Sequence, residues 1–169
     1  MKHIKIILLG LLLPFLFVGC GIYSFSGISI GPEVKTFEVR KFNNEASIIE
    51  AGIDRRFTTE LQDFILNQTN LNLVNSNGDI AYEGEITQFF VAPNNSDSQD
   101  STAENRLTIT VRVRYFDTKN SENDLERTFS FFSDFASTET LNGDVLETAL
   151  VEIFEYIQQD IITATLARW

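Results

Sequence analysis

Residues 107 to 116 read Leu-Thr-Ile-Thr-Val-Arg-Val-Arg-Tyr-Phe, so an extended chain carries Leu107, Ile109, Val111, Val113 and Tyr115 on one side and Thr108, Thr110, Arg112 and Arg114 on the other. Successive strand side chains point to opposite faces, and a period of two this regular demands a strand with one buried and one wet face. Such a strand needs partners, and the chain supplies them. Thr36 to Phe42, Leu71 to Asn75, Ile80 to Val91 and Leu125 to Phe132 all read as strands, with a turn signal at Asn77-Gly78 and a polar connection over 117–123.

Charge proposes the register. Pairing Phe90 with Leu107 in antiparallel sense aligns Ile86 with Val111, Glu85 with Arg112 and Glu83 with Arg114. Pairing Leu125 with Tyr115 brings Glu126 to the other side of Arg114 and Phe129 beside Val111. Each cross-strand pair of opposite charge contributes about 0.2–1 kcal/mol. The arginines are therefore expected to be spent on carboxylates rather than held free for a ligand.

Two segments have helical spacing. Ser47-Ile48-Ile49-Glu50 fits a capping box, and Ile49, Ile53, Phe57, Leu61 and Phe64 or Ile65 follow as one stripe, so a helix is expected from about Ile48 to Gln68. Near the C-terminus Asp144 reads as a cap with Glu147 three residues on, and Leu146, Leu150, Ile153, Ile157, Ile161 and Ala164 repeat at steps of three and four. Each helix has one apolar stripe to bury. The order strand, helix, four strands, helix then predicts an α+β two-layer sandwich, with two helices packed on one face of a four- to five-stranded, mostly antiparallel sheet. The other face would carry Glu83, Glu85, Arg112, Arg114, Glu126 and hydroxyl side chains, interrupted by Phe89, Phe116 and Phe132. Scattered exposed apolar residues are ordinary in folded proteins. Aromatics on a polar face are equally typical of partner anchors, so both readings stand.

The first residues are of a different kind. Lys2, His3 and Lys5 precede an apolar run of 13 residues, Ile6 to Val18, that ends at Gly19-Cys20. At about 1.5 Å per residue such a run covers about 20 Å, short of a hydrocarbon core of about 30 Å. Residues 1–19 are therefore expected to be a secretory signal that is removed. Phe17-Val18-Gly19-Cys20 resembles the bacterial lipobox, apart from the usual leucine at its first position. Cys20 would be acylated and become the mature N-terminus, a covalent lipid anchoring the protein to the membrane. Residues 20–34 then form a tether rich in Gly and Ser, and residues 35–169 a single domain.

What remains after the signal excludes several functions. Loss of Lys2 and Lys5 leaves 11 Lys and Arg against 24 Asp and Glu, a net charge of −13, which suits no nucleic-acid binder. The only histidine is His3, and the only cysteine is committed to lipid, so histidine or thiolate catalysis and metal ligation by those groups are excluded. No phosphate-binding glycine loop or Ser-x-x-Lys occurs. Glu83 and Glu85 could serve as acid and base, but they share a strand face with basic neighbours. The polar stretch 94–104 lacks the glycine and ligand spacing of an EF-hand loop. No catalytic residue, metal or cofactor beyond the Cys20 lipid is expected. Asp100-Ser101-Thr102 resembles the short O-glycosylation motif of Bacteroidetes and makes Ser101 a candidate acceptor.

Cys20 to Gly27 (CGIYSFSG), Gln68 to Pro93 (QTNLNLVNSNGDIAYEGEITQFFVAP), Asn105 to Tyr115 (NRLTITVRVRY) and Trp169 together resemble the Bacteroidetes branch of the LptE family of lipopolysaccharide-assembly lipoproteins. The resemblance covers nearly the whole mature chain and lies in the order of elements rather than in a catalytic motif. It implies an outer-membrane lipoprotein, anchored on the periplasmic side, that sits in the large β-barrel of its partner LptD as plug and assembly factor while lipopolysaccharide passes to the surface. It also implies lipopolysaccharide contact through basic residues, for which Arg112, Arg114, Lys119 and Arg127 are the candidates, with Phe89, Phe116 and Phe132 as partner contacts. The chain's acidity argues against a tight grip on phosphates. The alternative is a stand-alone envelope lipoprotein that carries a lipid or small amphiphile, which requires a pocket of a few hundred Å³ between helices and sheet. An envelope enzyme using only carboxylates or hydroxyls would require convergent acidic side chains in a cleft.

Overall fold

A computed structural model describes residues 30–47, 50–94 and 103–167. The signal, Cys20, most of the tether, Ser101 and Trp169 lie outside the described residues. The elements in order are β1 (Thr36–Val39), β2 (Asn43–Asn44), α1 (Ile53–Gln68), β3 (Asn72–Leu73), β4 (Ile80–Asn94), β5 (Glu104–Asp117), a 3-10 turn (Ser121–Asn123), β6 (Leu125–Ala136) and α2 (Gly143–Leu166). The fold is the expected α+β arrangement: one sheet in the order β3-β1-β4-β5-β6, with β2 also on β4. The three long strands form an antiparallel meander, while β1, β2 and β3 join in parallel.

The charge-based register holds where charge decides it. Glu83 faces Arg114, Glu85 faces Arg112 and Ile86 faces Val111. Across the next ladder Leu125 faces Tyr115, Glu126 faces Arg114 and Phe129 faces Val111. Beyond Ile86 it slips by one, because a bulge lies between Ile86 and Gln88. Phe90 then meets Thr108, not Leu107, whose partner is Val91. Straight pairing would have driven the Gln88 amide into the core and Phe89 out. Burying an unpaired amide costs about 1–3 kcal/mol, and the bulge avoids that by moving Gln88 to the wet face and Phe89 to the dry one. Phe89 is accordingly 6% exposed and Phe90 49%. The expectation of Phe89 on the polar face is thus overturned.

Two other expectations change in detail. The strand foreseen from Thr36 to Phe42 ends at Val39, and the separate β2 follows beyond it, because Phe42 turns into the core against Phe57 of α1, with ring centroids 5.0 Å apart, and donates its N–H to Thr58 Oγ1. That is possible only beside Gly84, where a Cβ would strike the Arg112 carbonyl oxygen and come within 2.8 Å of Phe42. The Asn77-Gly78 turn does not close a hairpin, since β1 lies between β3 and β4. The chain passes so near β1 that a Cβ on Gly78 would lie 2.8 Å from the Glu38 nitrogen and 2.9 Å from the Phe37 carbonyl carbon.

Both helices pack on one side. In α1 Ile53, Phe57, Leu61 and Ile65 are buried at steps of four. Its start is five residues later than expected: Ile48 and Ile49 lie outside the described residues, and Gly52, at φ 80°, caps a helix beginning at Ile53. A left-handed residue cannot lie inside a right-handed helix, so the Ser47–Glu50 box does not cap α1. In α2 the cap is Asn142, and Asp144 falls in the first turn, where its charge suits the helix dipole. Phe154 of α2 meets Phe57 of α1 edge-on at 5.0 Å, and Arg56 joins Glu147 at 2.6 and 2.8 Å. Phe37, Phe42, Phe57, Tyr82 and Phe154 fill the space between the layers and are fully buried, each stabilising by about 1.5–3 kcal/mol.

Candidate functional site

With both helices on one face, the opposite, outer face of the sheet is set by the even-numbered residues of β5 and β6 and by their partners on β4. One end carries charge. Arg40 donates to Glu38 at 2.9 Å and to Glu83 at 2.6 Å. Arg114 donates to Glu83 at 3.0 Å and reaches Glu85 at 3.0 and 3.3 Å, while Arg112 reaches Glu85 at 3.1 Å. Six side chains thus alternate in sign along Glu38, Arg40, Glu83, Arg114, Glu85 and Arg112, and their charges sum to zero. The Arg40 and Arg114 guanidiniums hold the Glu83 carboxyl below its ordinary pKa, and Glu85 and Glu83 in turn raise Arg114.

The middle of the face is polar and stitched together. Thr110 Oγ1 donates to Gln88 Oε1 at 3.0 Å and lies 2.9 Å from Ser130 Oγ. The far end is aromatic. Phe90 and Phe132 flank Thr108 in the ladder and are 49% and 40% exposed. The Arg106 guanidinium stacks 3.6 Å from the Phe132 centroid and forks onto Asp134 at 2.8 and 2.7 Å. Asp134 also accepts from Asn94 at 3.2 Å, and Arg106 holds its carboxyl below the usual value. Around the rim of β6, Phe131 lies nearly parallel to Phe132 at 5.5 Å and stacks on Tyr156 of α2 at 4.0 Å.

The residues expected to act together are dispersed. Arg112 and Arg114 sit side by side on the outer face, both on carboxylates. Lys119 is on the β5–β6 connection, bound to Asp79 at 2.7 Å. Arg127 faces the helix side, opposite Val113 in the ladder, with its guanidinium 5.4 Å from the Phe129 ring. Phe116 is partly buried on the outer face beside Ala81, and Phe132 is where it was expected. The bulge hid Phe90, and Arg106 escaped notice because β5 begins at Glu104, three residues before the expected start at Leu107. The signal that was there is the doublet Phe89-Phe90 after Gln88, where alternation cannot put both apolar rings inside.

Among the described residues no group of three or more His, Cys, Asp or Glu could hold a metal ion, and no helix is long and apolar enough to cross a membrane. The clefts lie at the rim. One of about 550 Å³ is lined by Ile30 to Lys35 and the end of α1, and another of about 390 Å³ lies between the end of β6 and the start of α2. Both open at the rim rather than being enclosed between the layers, where a carried amphiphile would need to sit.

The model of the family described as LptE, lipopolysaccharide-assembly, matches residues 34–165. None of the curated proteins matches the chain. Among solved structures, a hypothetical protein CT253 from Chlamydia trachomatis is similar at a TM-score of 0.54 with 10% identity, over 80% of this chain and 99% of that one. The protein XCC0632 from Xanthomonas campestris is similar at a TM-score of 0.51 with 10% identity, over 82% of this chain and 90% of that one. At such identities the likeness is one of fold alone.

Proposed function

Because the chain belongs to the LptE family of lipopolysaccharide-assembly proteins, we propose that it is a lipid-anchored component of the outer-membrane lipopolysaccharide translocon, plugging an LptD-type β-barrel and assisting its assembly. The family is one of non-enzymatic assembly lipoproteins that use no cofactor and partner LptD at the outer membrane. In this reading residues 1–19 are removed, Cys20 carries the lipid on the periplasmic side, residues 20–34 form the tether, and residues 35–169 form the domain that enters the barrel. The family match over nearly the whole domain carries the proposal.

The outer face supports it in physical terms. A plug must fit its barrel rather than turn anything over, and it needs a surface that can be buried without stranding charge. The alternating row from Glu38 to Arg112 is neutralised within itself, so burial does not expose a lone ion to low dielectric. Phe90 and Phe132 supply the apolar contact. Lipopolysaccharide phosphates would find Arg112 and Arg114 already engaged, so direct lipid contact is a minor part of the role. The filled interior counts against the amphiphile carrier.

The test is gentle detergent extraction of native membranes, capture on a C-terminal tag and mass spectrometry of what remains bound. A near-stoichiometric large outer-membrane β-barrel is expected. Recovery of the lipoprotein alone, with the barrel present in the same extract, would overturn the plug reading.

A further inference from the structure

The two edges of the sheet are unlike. The β3 edge is two residues long. The β6 edge runs 12 residues, Leu125 to Ala136, about 40 Å at about 3.4 Å per residue, and among the described residues it is paired on one side only, to β5. Proteins ordinarily blunt such an edge with proline, lysine, a bulge or brevity, because its unpaired N–H and C=O groups recruit any extended chain. Here β6 contains neither proline nor lysine, its register with β5 is unbroken, and Thr128 to Ser133 carries no charge.

The phase of the ladder shows which groups are on offer. Ser137 donates its N–H to the Ala103 carbonyl at 3.0 Å. Antiparallel ladders alternate, so the odd-numbered residues of β6 bond to β5, and Glu126, Thr128, Ser130, Phe132 and Asp134 turn their N–H and C=O to the open side. Aromatic rings of β6 flank that side on both faces: Phe132, covered by the Arg106 guanidinium, on the outer face, and Phe131, stacked on the 52%-exposed Tyr156, on the helix face.

We infer that the open edge of β6 receives an extended segment of the partner protein as an added strand, with uncharged, largely apolar residues on both of its faces where it passes Phe131 and Phe132. The inference rests on the proposed function in taking the barrel protein as partner. A closed barrel has no free strand edge of its own, so the donor is an extended loop or terminal segment rather than a wall strand. A second copy of this chain is disfavoured by a net charge of −13 on each chain once the signal is removed, and a two-fold pairing centred on Ser130 would set Glu126 against Asp134.

Ser130→Pro in the full-length lipoprotein removes an N–H that faces the open side and is not part of the β5 ladder, a position where an edge strand tolerates proline. Captured from native membranes, this variant is expected to bring down about tenfold less barrel protein than Ser130→Ala, which loses the same hydroxyl bonds to Thr110 and the Ile109 carbonyl but keeps the N–H. Full capture by a folded variant would overturn the inference. Should the variant not fold, a photo-cross-linking residue at Ser130 in the otherwise native chain decides. Cross-links to one extended segment of the barrel protein support the added strand. Cross-links to a second copy, to lipid, or to nothing overturn it. Absence of the barrel from the wild-type capture would instead bring down the plug reading itself, so the two failures are distinguishable.

Discussion

At one end of the outer face six charges pair off from Glu38 to Arg112, and at the other Phe90 and Phe132 stand half exposed on either side of Thr108. The same strands, β4 and β5, build both ends. At the charged end every carboxylate of the row is held by a guanidinium, and beneath it Gly84 lets Phe42 close against the sheet. At the aromatic end Arg106 is satisfied by Asp134, but the ring it covers still faces water. The difference separates side chains that satisfy one another from rings left facing water, and it is the aromatic end that the proposed partner would cover.

The sharpest way to break that contrast is to disturb the closed end. Gly84→Ala puts a methyl onto the Arg112 carbonyl and the Phe42 ring, and backbone rather than a flexible side chain would have to yield. A loss of about 3 kcal/mol in stability is expected, at the upper end of the usual cost of overpacking, measured by urea denaturation of the purified protein. A loss under about 1 kcal/mol would mean that the charged end has slack and is no more closed than the other. Next in size is Phe132→Ala at the open end. Its stability cost should stay under about 1 kcal/mol, because the ring is already 40% exposed. Its cost in partner capture should reach about 2 kcal/mol, or about thirtyfold, as for a buried aromatic anchor. Equal losses in stability and capture would remove the distinction between the two ends.

The same contrast accounts for what could be read in advance. The meander and its register were legible because period-two alternation and opposite charges made the same choice at Glu83, Glu85, Arg112 and Arg114. The helix stripes were legible because Phe57, Leu61, Ile153 and Ile157 recur at helical steps. The aromatic end was only half legible. Phe132 lies in an unbroken ladder, but Phe90 lies past a bulge, and one inserted residue exchanges every later side chain between faces. The place of insertion is not given by the Phe89-Phe90 doublet, which shows only that one of the two rings must face out. It is decided by the cost of burying Gln88 against the gain from burying Phe89, which requires knowing that β5 and β6 are already in place. The position of β1 between β3 and β4 was equally hidden, since it depends on a crossing that brings Gly78 against β1 rather than on any local pattern.

Acid provides the finest probe of the two ends, because each has one carboxylate whose pKa folding depresses. Glu83 is held below its ordinary 4.5 by hydrogen bonds from Arg40 and Arg114, and Asp134 below its ordinary 3.8 by Arg106. Since folding lowers these values, the unfolded chain takes up protons first as the pH falls. The stability the two groups contribute is complete well above their ordinary values and drains away as the pH falls through the folded ones. Denaturation midpoints should therefore be level from neutral pH to about pH 5 and decline below about 4.5. Glu83 bridges two guanidiniums and Asp134 grips one. Glu83→Gln should thus flatten the acid decline more than Asp134→Asn, and both should lower the midpoint at pH 7, by at most about 1 kcal/mol for pairs this open to water. A larger flattening from Asp134→Asn would reverse the assignment of the closed end, because it would put the stronger electrostatic clasp beside the exposed rings instead of under the charged row.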